Sequence, residues 1–465
     1  MYWSEYSSSV LIDLPAVAAI RQATLCTAYE GQIWLVGGAV RDDLLGLRPK
    51  GDFDLVLEGS AIDLADFLSS KGVSSIKPVE YPRFGTALIR VQDTQVELVC
   101  ARRESYSKMS RKPNVEGASL ADDALRRDFT VNTLLRNLHT GELLDPLGIG
   151  IQDLESQTLR TPLDPKSTFH EDPLRMLRAI RFRWQLSLDP VPELTDALRS
   201  EAPRLAIVSA ERIRDEWLKM LVLDGADRPM RNLMEFGLLR QFIPEFEACV
   251  GVDQGKHHHL DVWDHTLLAL RNVTSDDVIV RLAVLFHDIG KPQTRFVDAN
   301  SNVRFFRHEV VGEEITKTVL KRLRFTTTQI RDTCVLVRNH MRLGSSKTFT
   351  PSAARRLIRD LGELTDLLVE VAEADGKAHR PGSSQVDIAR IRAVIAKVIV
   401  QTPRRTLESP LSGEEIMDIA GISSGRLVGL FKESLKEAVL EGKLLPTDKA
   451  AAMSLLQEMV KQKSD

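Results

Sequence analysis

The sequence predicts an α+β protein in which an α/β head precedes an all-helical body. Two observations indicate this class. Strand and helix patterns alternate between residues 30 and 100, whereas from about residue 165 apolar residues recur with helical spacing. The chain has 465 residues, enough for roughly two to four domains. Weak breaks in the pattern predict four domains, at residues 1–160, 161–250, 251–382 and 383–465.

The composition is that of a globular protein, with 43% hydrophobic and 27% charged residues. The formal net charge of -3 argues against indiscriminate binding of polyanions but allows a local basic surface. No apolar run reaches the roughly 18 residues of a membrane span, and the N-terminus lacks the pattern of a signal peptide. We therefore expect a cytoplasmic protein without membrane contact. The four cysteines stand singly, as in a reduced protein.

The head begins with the strand pattern "QIWLVGG" and the helix pattern "AVRDDLLG". The strand "DFDLVLEG", the helix "AIDLADFLSS" and the strands "TALIRV" and "QVELV" follow. Gly37 and Gly38, between the first strand and its helix, allow a phosphate to approach the backbone closely. Arg41, expected in the first turn of that helix, is placed to bind a triphosphate.

Acidic side chains at period-two spacing mark the second strand. In "DFDLV", Asp52 and Asp54 are expected on one face, and Phe53 and Leu55 on the other. Glu97, in "QVELV", is expected beside them on a neighbouring strand. Carboxylates grouped in this way suit Mg²⁺, which commonly bridges them to substrate phosphates. An isolated D-x-D is more often a solvated edge or turn, so the pattern gains weight only from its surroundings.

The glycine pair, arginine, D-x-D and downstream acid together resemble the head of the nucleotidyltransferase superfamily that includes DNA polymerase β. "GGAVRD" followed by "DFD" narrows the resemblance to the class II tRNA nucleotidyltransferase and bacterial poly(A) polymerase family. The resemblance implies Mg²⁺-dependent transfer of nucleotides from CTP and ATP to the 3′ acceptor end of tRNA. Asp52, Asp54 and Glu97 would be its catalytic carboxylates, with Asp52 and Asp54 binding Mg²⁺.

Further motifs of the family follow in order. "RRDFTVNTL" is similar to its ribose-recognising motif, which assigns Arg127, Asp128 and Asn132 to the sugar and phosphates of the incoming nucleotide. Taken alone, Asp128 is equally explained as a helix-capping acid. "DPLGIGIQDLESQTLRT" is similar to the hinge between head and body.

"EDPLRMLRAIRF" resembles the nucleotide-selecting helix of the family. In that family the equivalents of Asp172 and Arg175 bind the edge of the incoming base, and Glu171 is expected to brace them. Positions i and i+3 share a helical face, so a surface ion pair between Asp172 and Arg175 is the alternative. Arg178 and Arg181 continue on that side, either supporting the nucleotide pocket, contacting RNA phosphate or simply providing helix surface charge.

The polar, basic stretch after Glu97 predicts a mobile loop. In the family such a loop is associated with switching from C to A addition, and its full length here favours complete CCA addition. Its basic residues are candidate contacts of the acceptor stem: Arg102, Arg103, Lys108, Arg111 and Lys112.

A series of histidines and acids in the helical region resembles the HD phosphohydrolase domain. The candidate ligands are His265, His287, Asp288, His308, His340 and Asp375. Each of these histidines alone is more often a packed side chain than a ligand. The resemblance implies phosphatase or cyclic phosphodiesterase activity with Ni²⁺, Mn²⁺ or Mg²⁺, unless the domain is purely structural. We expect His287 and Asp288 on a helix, where adjacent side chains diverge by about 100°. His257, His258 and His259 are ambiguous.

The C-terminal segment resembles the tail of many bacterial tRNA nucleotidyltransferases, where Arg404 and Arg405 are expected to contact tRNA. The favoured function is CCA addition to tRNA without a nucleic-acid template. Enzymes that add only CC or only A share the same head motifs, and a poly(A) polymerase shares most of them. An HD metal phosphohydrolase whose head only binds RNA is the alternative of another class.

Overall fold

The computed structural model describes residues 9–47, 51–105, 114–255, 260–344, 349–379, 387–401 and 407–464. The chain forms two compact units. Unit 1 comprises Met1–Glu216 and Asn232–Gln241, and unit 2 comprises Trp217–Arg231 and Phe242–Asp465. The four-domain boundaries at residues 160, 250 and 382 stay predictions.

Unit 1 contains a mixed seven-stranded sheet and several short strands outside it. In chain order the strands are β1 Ile33–Val36, β2 Phe53–Leu57, β3 Val79–Tyr81, β4 Thr86–Val91, β5 Thr94–Cys100, β6 Arg102–Ser105, β7 Asn114–Gly117, β8 Leu135–Asn137, β9 Leu143–Leu144, β10 Thr158–Leu159 and β11 Asp189–Pro190. The order in the large sheet is β3-β4-β5-β2-β1-β8-β9. Only the β2–β5 pair in this sheet is parallel.

Ten helices contain residues of unit 1, and the last two of them cross its boundaries. They are α1 Pro15–Thr24, α2 Gly38–Leu44, α3 Ala61–Ser70, α4 Leu120–Leu125, α5 Gly150–Glu155, α6 Pro165–Glu171, α7 Leu174–Gln185, α8 Pro192–Glu201, α9 Ala210–Leu221 and α10 Asp227–Glu235. The predicted strands and helices of the head form where the patterns place them. Ser60 begins α3 by accepting a hydrogen bond from the Asp63 backbone N–H at 3.1 Å.

Side-chain alternation gives the large sheet two different faces. Phe53, Leu55 and Leu98 are buried on one face, which contacts α3. Asp54 and Glu97 lie on the other face, because residues two apart point the same way and adjacent ones point oppositely. The apolar positions of β2 and β5 therefore hold the two acidic positions in register.

The prediction of a mobile loop after Glu97 is wrong at both ends of that segment, which form regular structure. Strands β6 and β7 pair there in an antiparallel hairpin, with Arg102 opposite Gly117 and Ser105 opposite Asn114. Helix α4 follows, begun by a capping box between Ser119 and Asp122. The sequence did not predict this hairpin because both strands are polar and lack the alternation of apolar residues that indicates a strand.

The described part of unit 2 is helical apart from one hairpin. Its further helices are α11 Val262–Arg271, α12 Val278–Phe286, α13 Lys291–Thr294, α14 His308–Arg322, α15 Thr327–Asn339, α16 Met341–Gly344, α17 Pro351–Leu361, α18 Leu364–Ala378, α19 Ile388–Gln401, α20 Gly413–Ala420, α21 Arg426–Glu441 and α22 Lys449–Ser464. The hairpin joins β12 Arg295–Val297 to β13 Val303–Phe305. A mixed-sheet head and a helical body thus make up the fold, as predicted.

The apolar helix α12 is central to unit 2. It contacts α11, α15 and α18, and its residues 280–286 are all buried. Towards the C-terminus α20, α21 and α22 contact one another, while α17 contacts α19 and α21. None of the described helices combines the length and apolar character needed to cross a membrane.

Candidate functional sites

The first site centres on two carboxylates of the head. Asp54 on β2 and Glu97 on β5 are direct partners in the parallel register, so the predicted neighbourhood of the two is confirmed. Strand β2 begins at Phe53, which places exposed Asp52 one residue before the strand rather than within it. The burial of Phe53 and Leu55, at 4% and 0% exposure, keeps Asp54 on the opposite face.

The electrostatics of this carboxylate pair favour a cation. Burial raises the pKa of Asp54, and the charge of Asp52 raises it further against the lowering effect of Arg127 and Arg178. Burial and the neighbouring charge of Asp54 raise the pKa of Glu97. The pair is therefore under-neutralised by the protein itself, and hard oxygen ligands in such an arrangement fit a divalent cation such as Mg²⁺.

Gly37 brings the backbone close to this pair. It has φ +79°, a left-handed conformation that glycine adopts without strain, and it precedes the first residue of α2. A Cβ atom built on Gly37 would lie 3.5 Å from Nη1 of Arg127 and 3.7 Å from Oδ2 of Asp54. The turn thus puts backbone, a guanidinium and a carboxylate at one point, where a phosphate group would be held.

Arg41 is tied into the head more tightly than expected. It is the fourth of the seven residues of helix α2, and it is only 4% exposed. Its Nη1 donates to Oδ1 of Asn132 at 2.6 Å, and its Nε donates to Oδ1 of Asp42 at 2.9 Å. Its position is therefore set by two acceptors before any ligand binds.

A polar network extends from Asn132. Its Nδ2 donates to Oδ1 of Asp128 at 2.9 Å, and Nε of Arg178 donates to Oδ2 of Asp128 at 2.7 Å. Burial alone would raise the pKa of Asp128, but Arg178 and Asn132 hold it below its usual range. Asp128 does not cap a helix, because the next turn, Thr130–Asn132, has Phe129 at its N-cap. The network joins four of the predicted nucleotide-binding residues: Arg41, Asp128, Asn132 and Arg178.

Three guanidinium groups surround the ring of Phe182. The Cζ atoms of Arg41, Arg178 and Arg181 lie 4.9, 5.2 and 4.1 Å from its centroid. Arg181 also pairs with Glu216, and both are buried. The ring thus holds three guanidinium groups close together, and each of them also pairs with an acid.

Asp123 is a site residue that the sequence reasoning missed. Its Oδ2 accepts from Nη2 of Arg127 at 2.9 Å, and its Oδ1 accepts from Nε of Arg126 at 2.8 Å. Burial would raise the pKa of Asp123, but Arg127 and Arg126 lower it. The acid stands three and four residues before the two arginines, a helical spacing that is visible in the sequence.

The helical face predicted for Asp172 and Arg175 is wrong. Asp172 follows α6 in an extended conformation with φ −132° and ψ 96°, and α7 begins only at Leu174. Pro173 causes this break, because the residue before a proline is sterically excluded from the helical region. Oδ1 of Asp172 accepts from the Leu174 backbone N–H at 3.2 Å.

Separate partners therefore hold the two candidate base-reading residues. Oδ2 of Asp172 accepts from Nη2 of Arg212 at 2.9 Å. Nη2 of Arg175 donates to the backbone oxygen of Arg126 at 2.5 Å, and Glu171 lies 3.9 Å from its Nη1. No Asp172–Arg175 ion pair forms between these two described side chains, while the expected bracing by Glu171 falls on Arg175. Arg212 is a second residue that was missed.

The second site lies in unit 2, where Asp288 sits between two pairs of imidazoles. Its Oδ2 is 3.0 Å from Nε2 of His287 and 3.7 Å from Nε2 of His265. Its Oδ1 is 3.4 Å from Nε2 of His308 and 3.9 Å from Nε2 of His340. All five side chains are buried, and they form two overlapping groups with the geometry of metal ligands.

Asp375 completes the first group. Its Oδ1 lies 2.9 Å from Nε2 of His265 and 3.6 Å from Nε2 of His287. His287 and Asp288 were expected on a helix, but α12 ends at Phe286 and both follow it. His287 is the C-cap of α12 and keeps helical dihedral angles, with φ −53° and ψ −41°.

Backbone carbonyls orient three of these rings. Nδ1 of His287, His308 and His340 lies 2.6, 2.9 and 2.7 Å from the carbonyl oxygens of Val284, Phe305 and Val337. A proton held on Nδ1 leaves Nε2 as the ligand atom. This donor set of histidines and carboxylates fits one or two divalent metals.

The pKa values of the rings agree with this. Burial and the charge of His287 lower the pKa of His340 to about 4, which keeps the ring neutral as a metal ligand must be. Burial would lower the pKa of His287, but Asp288 and Asp375 raise it to about 10. A divalent cation between these carboxylates would take the place of that proton.

Lys291 was also missed. Its Nζ donates to Oδ2 of Asp288 and to Oε1 of Gln254, each at 2.6 Å. It stands three residues after Asp288 in "HDIGKP", so the spacing was visible in the sequence. His379 lies with its ring 5.2 Å from that of His265, four residues after Asp375.

The structure does not describe the side chains of most of the predicted RNA-contacting residues. Arg102 donates through Nη1 to Phe84 O and, at 3.1 Å, to Oγ1 of Thr86, which ties it to the sheet. The side chain of Arg103 is not described. Eight further candidate residues also lie outside what the structure describes: Lys108, Arg111, Lys112, His257, His258, His259, Arg404 and Arg405.

Three protein families match successive parts of the chain. The poly A polymerase head domain matches residues 33–160, the probable RNA and SrmB-binding site of polymerase A matches residues 188–250, and the HD domain matches residues 256–379. The first match contains both carboxylates of the head, and the third contains all six candidate ligands of unit 2.

Solved structures share the fold at low sequence identity. A Bacillus stearothermophilus CCA-adding enzyme in complex with CTP has a TM-score of 0.71 at 20% identity, covering 97% of this chain and 99% of its own. A Thermotoga maritima CCA-adding enzyme complexed with tRNA has a TM-score of 0.60 at 19% identity, with coverage of 97% and 99%.

Relatives at higher identity cover most of the chain. It is 32% identical over 432 residues to the A-adding tRNA nucleotidyltransferase of Deinococcus radiodurans, spanning 90% of this chain and 94% of the relative. It is 32% identical over 438 residues to the CC-adding enzyme of Thermus thermophilus, spanning 90% and 92%. The multifunctional CCA protein of Acinetobacter baumannii is 30% identical over 364 residues, spanning 74% and 84%. By fold, carboxylate register and sequence, the chain belongs to the tRNA nucleotidyltransferase family.

Proposed function

We propose that this nucleotidyltransferase adds C and A, from CTP and ATP, to the 3′ acceptor end of tRNA without a nucleic-acid template. The observation that carries the proposal is the register of Asp54 and Glu97 beside the turn at Gly37. The family relatives named for such additions support it, and a cytoplasmic location is consistent with this substrate.

Asp52 and Asp54 would hold Mg²⁺, since the raised pKa of Asp54 marks a site that a cation stabilises. When bound, the ion supplies charge neutralisation to the reacting phosphate and hydroxyl oxygens. Glu97 is the proposed acceptor of the proton from the attacking tRNA 3′-hydroxyl, because its own pKa is raised. The new O3′–phosphorus bond forms at the α-phosphate as the bond to the β-phosphate breaks and pyrophosphate leaves.

The positive side chains of the head bind the nucleotide in this proposal. Arg127, held by Asp123, faces the phosphates near Gly37, while Arg41, Asp128 and Asn132 position the sugar and triphosphate. Fixed donors of this kind stabilise developing charge without reorganising during the reaction. Arg178 and Arg181 support the pocket through Asp128 and Glu216.

Asp172 and Arg175 are the proposed readers of the base. A carboxylate acceptor and a guanidinium donor complement the hydrogen-bonding edges of cytosine and adenine, and a wrong base would leave a charged partner unpaired. Arg212 and the Arg126 carbonyl hold the two side chains apart, so each is positioned independently. Glu171 contributes by its proximity to Arg175.

Complete CCA addition is the first candidate, and addition of A or CC alone is the second. The second is favoured by the two relatives that each span 90% of this chain, because one is named A-adding and the other CC-adding. Three labelled tRNAs decide between them: one lacking the CCA end, one ending in CC and one ending in CCA. Complete addition extends the first by three nucleotides and the second by one. Extension of only one of them identifies a partial enzyme, repeated A addition identifies a poly(A) polymerase, and no extension refutes the proposal.

We further propose that the centre around Asp288 is an HD-type phosphohydrolase. His265, His287, Asp288 and Asp375 would hold one divalent metal and Asp288, His308 and His340 a second, with Ni²⁺, Mn²⁺ or Mg²⁺ as candidates. Such ions supply an activated water and neutralise phosphate charge. Release of phosphate from a tRNA bearing a 3′-phosphate, measured with each metal, tests the activity. Absence of release with all three would leave the domain a structural module.

The basic residues outside the described parts of the chain complete the proposal. Arg103, Lys108, Arg111 and Lys112 are proposed contacts of the acceptor stem, and Arg404 and Arg405 of the tRNA body. Such phosphate contacts predict affinity for tRNA that falls steeply with salt concentration.

A further inference from the structure

The hairpin β12–β13 in unit 2 carries two exposed phenylalanines next to each other. Phe296 is the direct antiparallel partner of Arg304, so these two side chains share a face of the hairpin. Phe306 follows β13, and its ring centroid lies 6.3 Å from that of Phe296. Phe296 is 53% exposed and Phe306 is 62% exposed. Large aromatic groups left in water side by side mark an interaction surface.

The same hairpin is positively charged. Exposed arginines flank the rings at Arg295, Arg304 and Arg307, and Asp298 is the only acid between residues 295 and 307. Asp298 lies at the turn, where it pairs with Arg304 at 3.2 Å and accepts four further hydrogen bonds from the turn residues Asn300 and Asn302. The two phenylalanine rings therefore lie among positively charged side chains.

The hairpin also supports the metal-ligand cluster. The carbonyl oxygen of Phe305 lies 2.9 Å from Nδ1 of His308, and the ring of Phe305 lies 5.5 Å from Nζ of Lys291. Lys291 in turn donates to Asp288 at 2.6 Å. Phe305 points to the opposite face from Phe296, since neighbouring strand positions alternate. Phe305 thus contacts the cluster, while Phe296 and Phe306 on the other face are exposed.

We propose that the exposed face, Phe296 and Phe306 with Arg304, binds unpaired bases of a single-stranded RNA 3′ end that is processed at the centre around Asp288. The inference rests on the phosphohydrolase function proposed for that centre and names its substrate class. Aromatic rings stack on any base, and arginines neutralise the phosphates between bases. Aromatic and basic side chains together fit RNA better than an apolar protein segment, which would offer no negative charge to the exposed Arg295 and Arg307.

The test compares two phosphomonoesters that differ in whether they carry bases. The substrates are a tRNA with a 3′-phosphate and glycerol 2-phosphate, hydrolysed by the full-length metal-loaded protein. In the double variant Phe296→Ala and Phe306→Ala, the KM for the tRNA is expected to rise roughly 5- to 100-fold, the range of a lost base stack. Hydrolysis of glycerol 2-phosphate should stay within about twofold, since neither ring touches the cluster.

Two further variants separate stacking from folding. Val297→Ala, on the face of the hairpin opposite Phe296, is the matched control and should leave both substrates unaffected. Phe296→Tyr keeps an aromatic face and should retain a KM close to that of the unmodified protein. An equal loss with both substrates would indicate a damaged metal cluster, and an unchanged KM for the tRNA would equally overturn the proposal.

A second readout does not depend on hydrolysis. A single-stranded RNA with 4-thiouridine at its 3′ end is photocrosslinked to the full-length protein, and crosslinked peptides are mapped. Crosslinks within residues 295–307 that disappear in the double alanine variant support the hairpin as an RNA site even if the phosphohydrolase proposal fails. Lack of such crosslinks refutes it. A change in oligomeric state of the variant, with crosslinks elsewhere, would instead identify the rings as a protein contact.

Discussion

Replacing Asp128 by asparagine tests the polar network of the head. The carboxylate accepts from Nε of Arg178 at 2.7 Å, from Nδ2 of Asn132 at 2.9 Å and from the Phe129 backbone at 2.9 Å. Asparagine keeps the shape but turns an amide donor towards one of these donors and removes the charge facing Arg178. The change thus removes one partner of a largely buried ion pair.

The magnitude follows from burial. Removing one partner of a buried pair costs about 3–5 kcal/mol, whereas a charge-assisted hydrogen bond contributes about 1.5–3 kcal/mol. The Arg178 side chain is 33% exposed, so water compensates for part of the loss. We expect the local free energy of unfolding to fall by about 2–3 kcal/mol, which is a decrease of roughly 30- to 150-fold in amide protection.

Hydrogen exchange of α7, which carries Arg178, measures this loss at pH 7, and the KM for CTP should rise in parallel. Asp66→Asn, at an exposed position on α3, is the matched control. Because the pKa of folded Asp128 is lowered, its contribution is present above its unfolded pKa of about 3.9 and is lost as the pH falls through the folded pKa. The difference in amide protection of α7 between the Asp128→Asn variant and the unmodified protein should therefore narrow only below about pH 4. Protection of α7 that changes less than about threefold at pH 7 would refute the reasoning.

Three other outcomes are expected. Asp54→Ala should abolish nucleotide incorporation while tRNA binding persists; substantial residual incorporation would contradict its assignment as a catalytic carboxylate. Arg212→Ala frees Asp172 from its 2.9 Å partner, so misincorporation of UTP or GTP should rise about tenfold while the KM for tRNA is unchanged, as measured in single-nucleotide assays. Asp288→Ala should release the metals of unit 2, seen by elemental analysis, and remove phosphohydrolysis; nucleotide addition falling equally would argue against two separate sites.

The sequence alone was sufficient where a motif acts over a few residues. The alternation in "DFDLV" and "QVELV" put Asp54 and Glu97 on one face, because buried apolar neighbours allow a strand only one orientation. The six candidate ligands of unit 2 were likewise selected by residue type and order along the chain, and the structure brings them together.

The same local logic failed at the proline. Helical spacing predicted that Asp172 and Arg175 share a face, but Pro173 forces an extended residue before it. The restriction that a proline places on the residue before it was visible in the sequence. The helical spacing of apolar residues in "LRMLRAIRF" nevertheless favoured one continuous helix. The loop prediction failed differently, since the sequences of β6 and β7, "RRES" and "NVEG", show no alternation of apolar residues.

What the sequence determined by itself was the fold class, the family and most of the candidate site residues, because these depend on residue type and short-range period. Only the tertiary structure decided which distant partner holds each group: Arg212 for Asp172, and Arg178 for Asp128. These pairs span 40 and 50 residues of chain. No local rule reaches that far, because such contacts exist only once the core has brought distant helices and strands together.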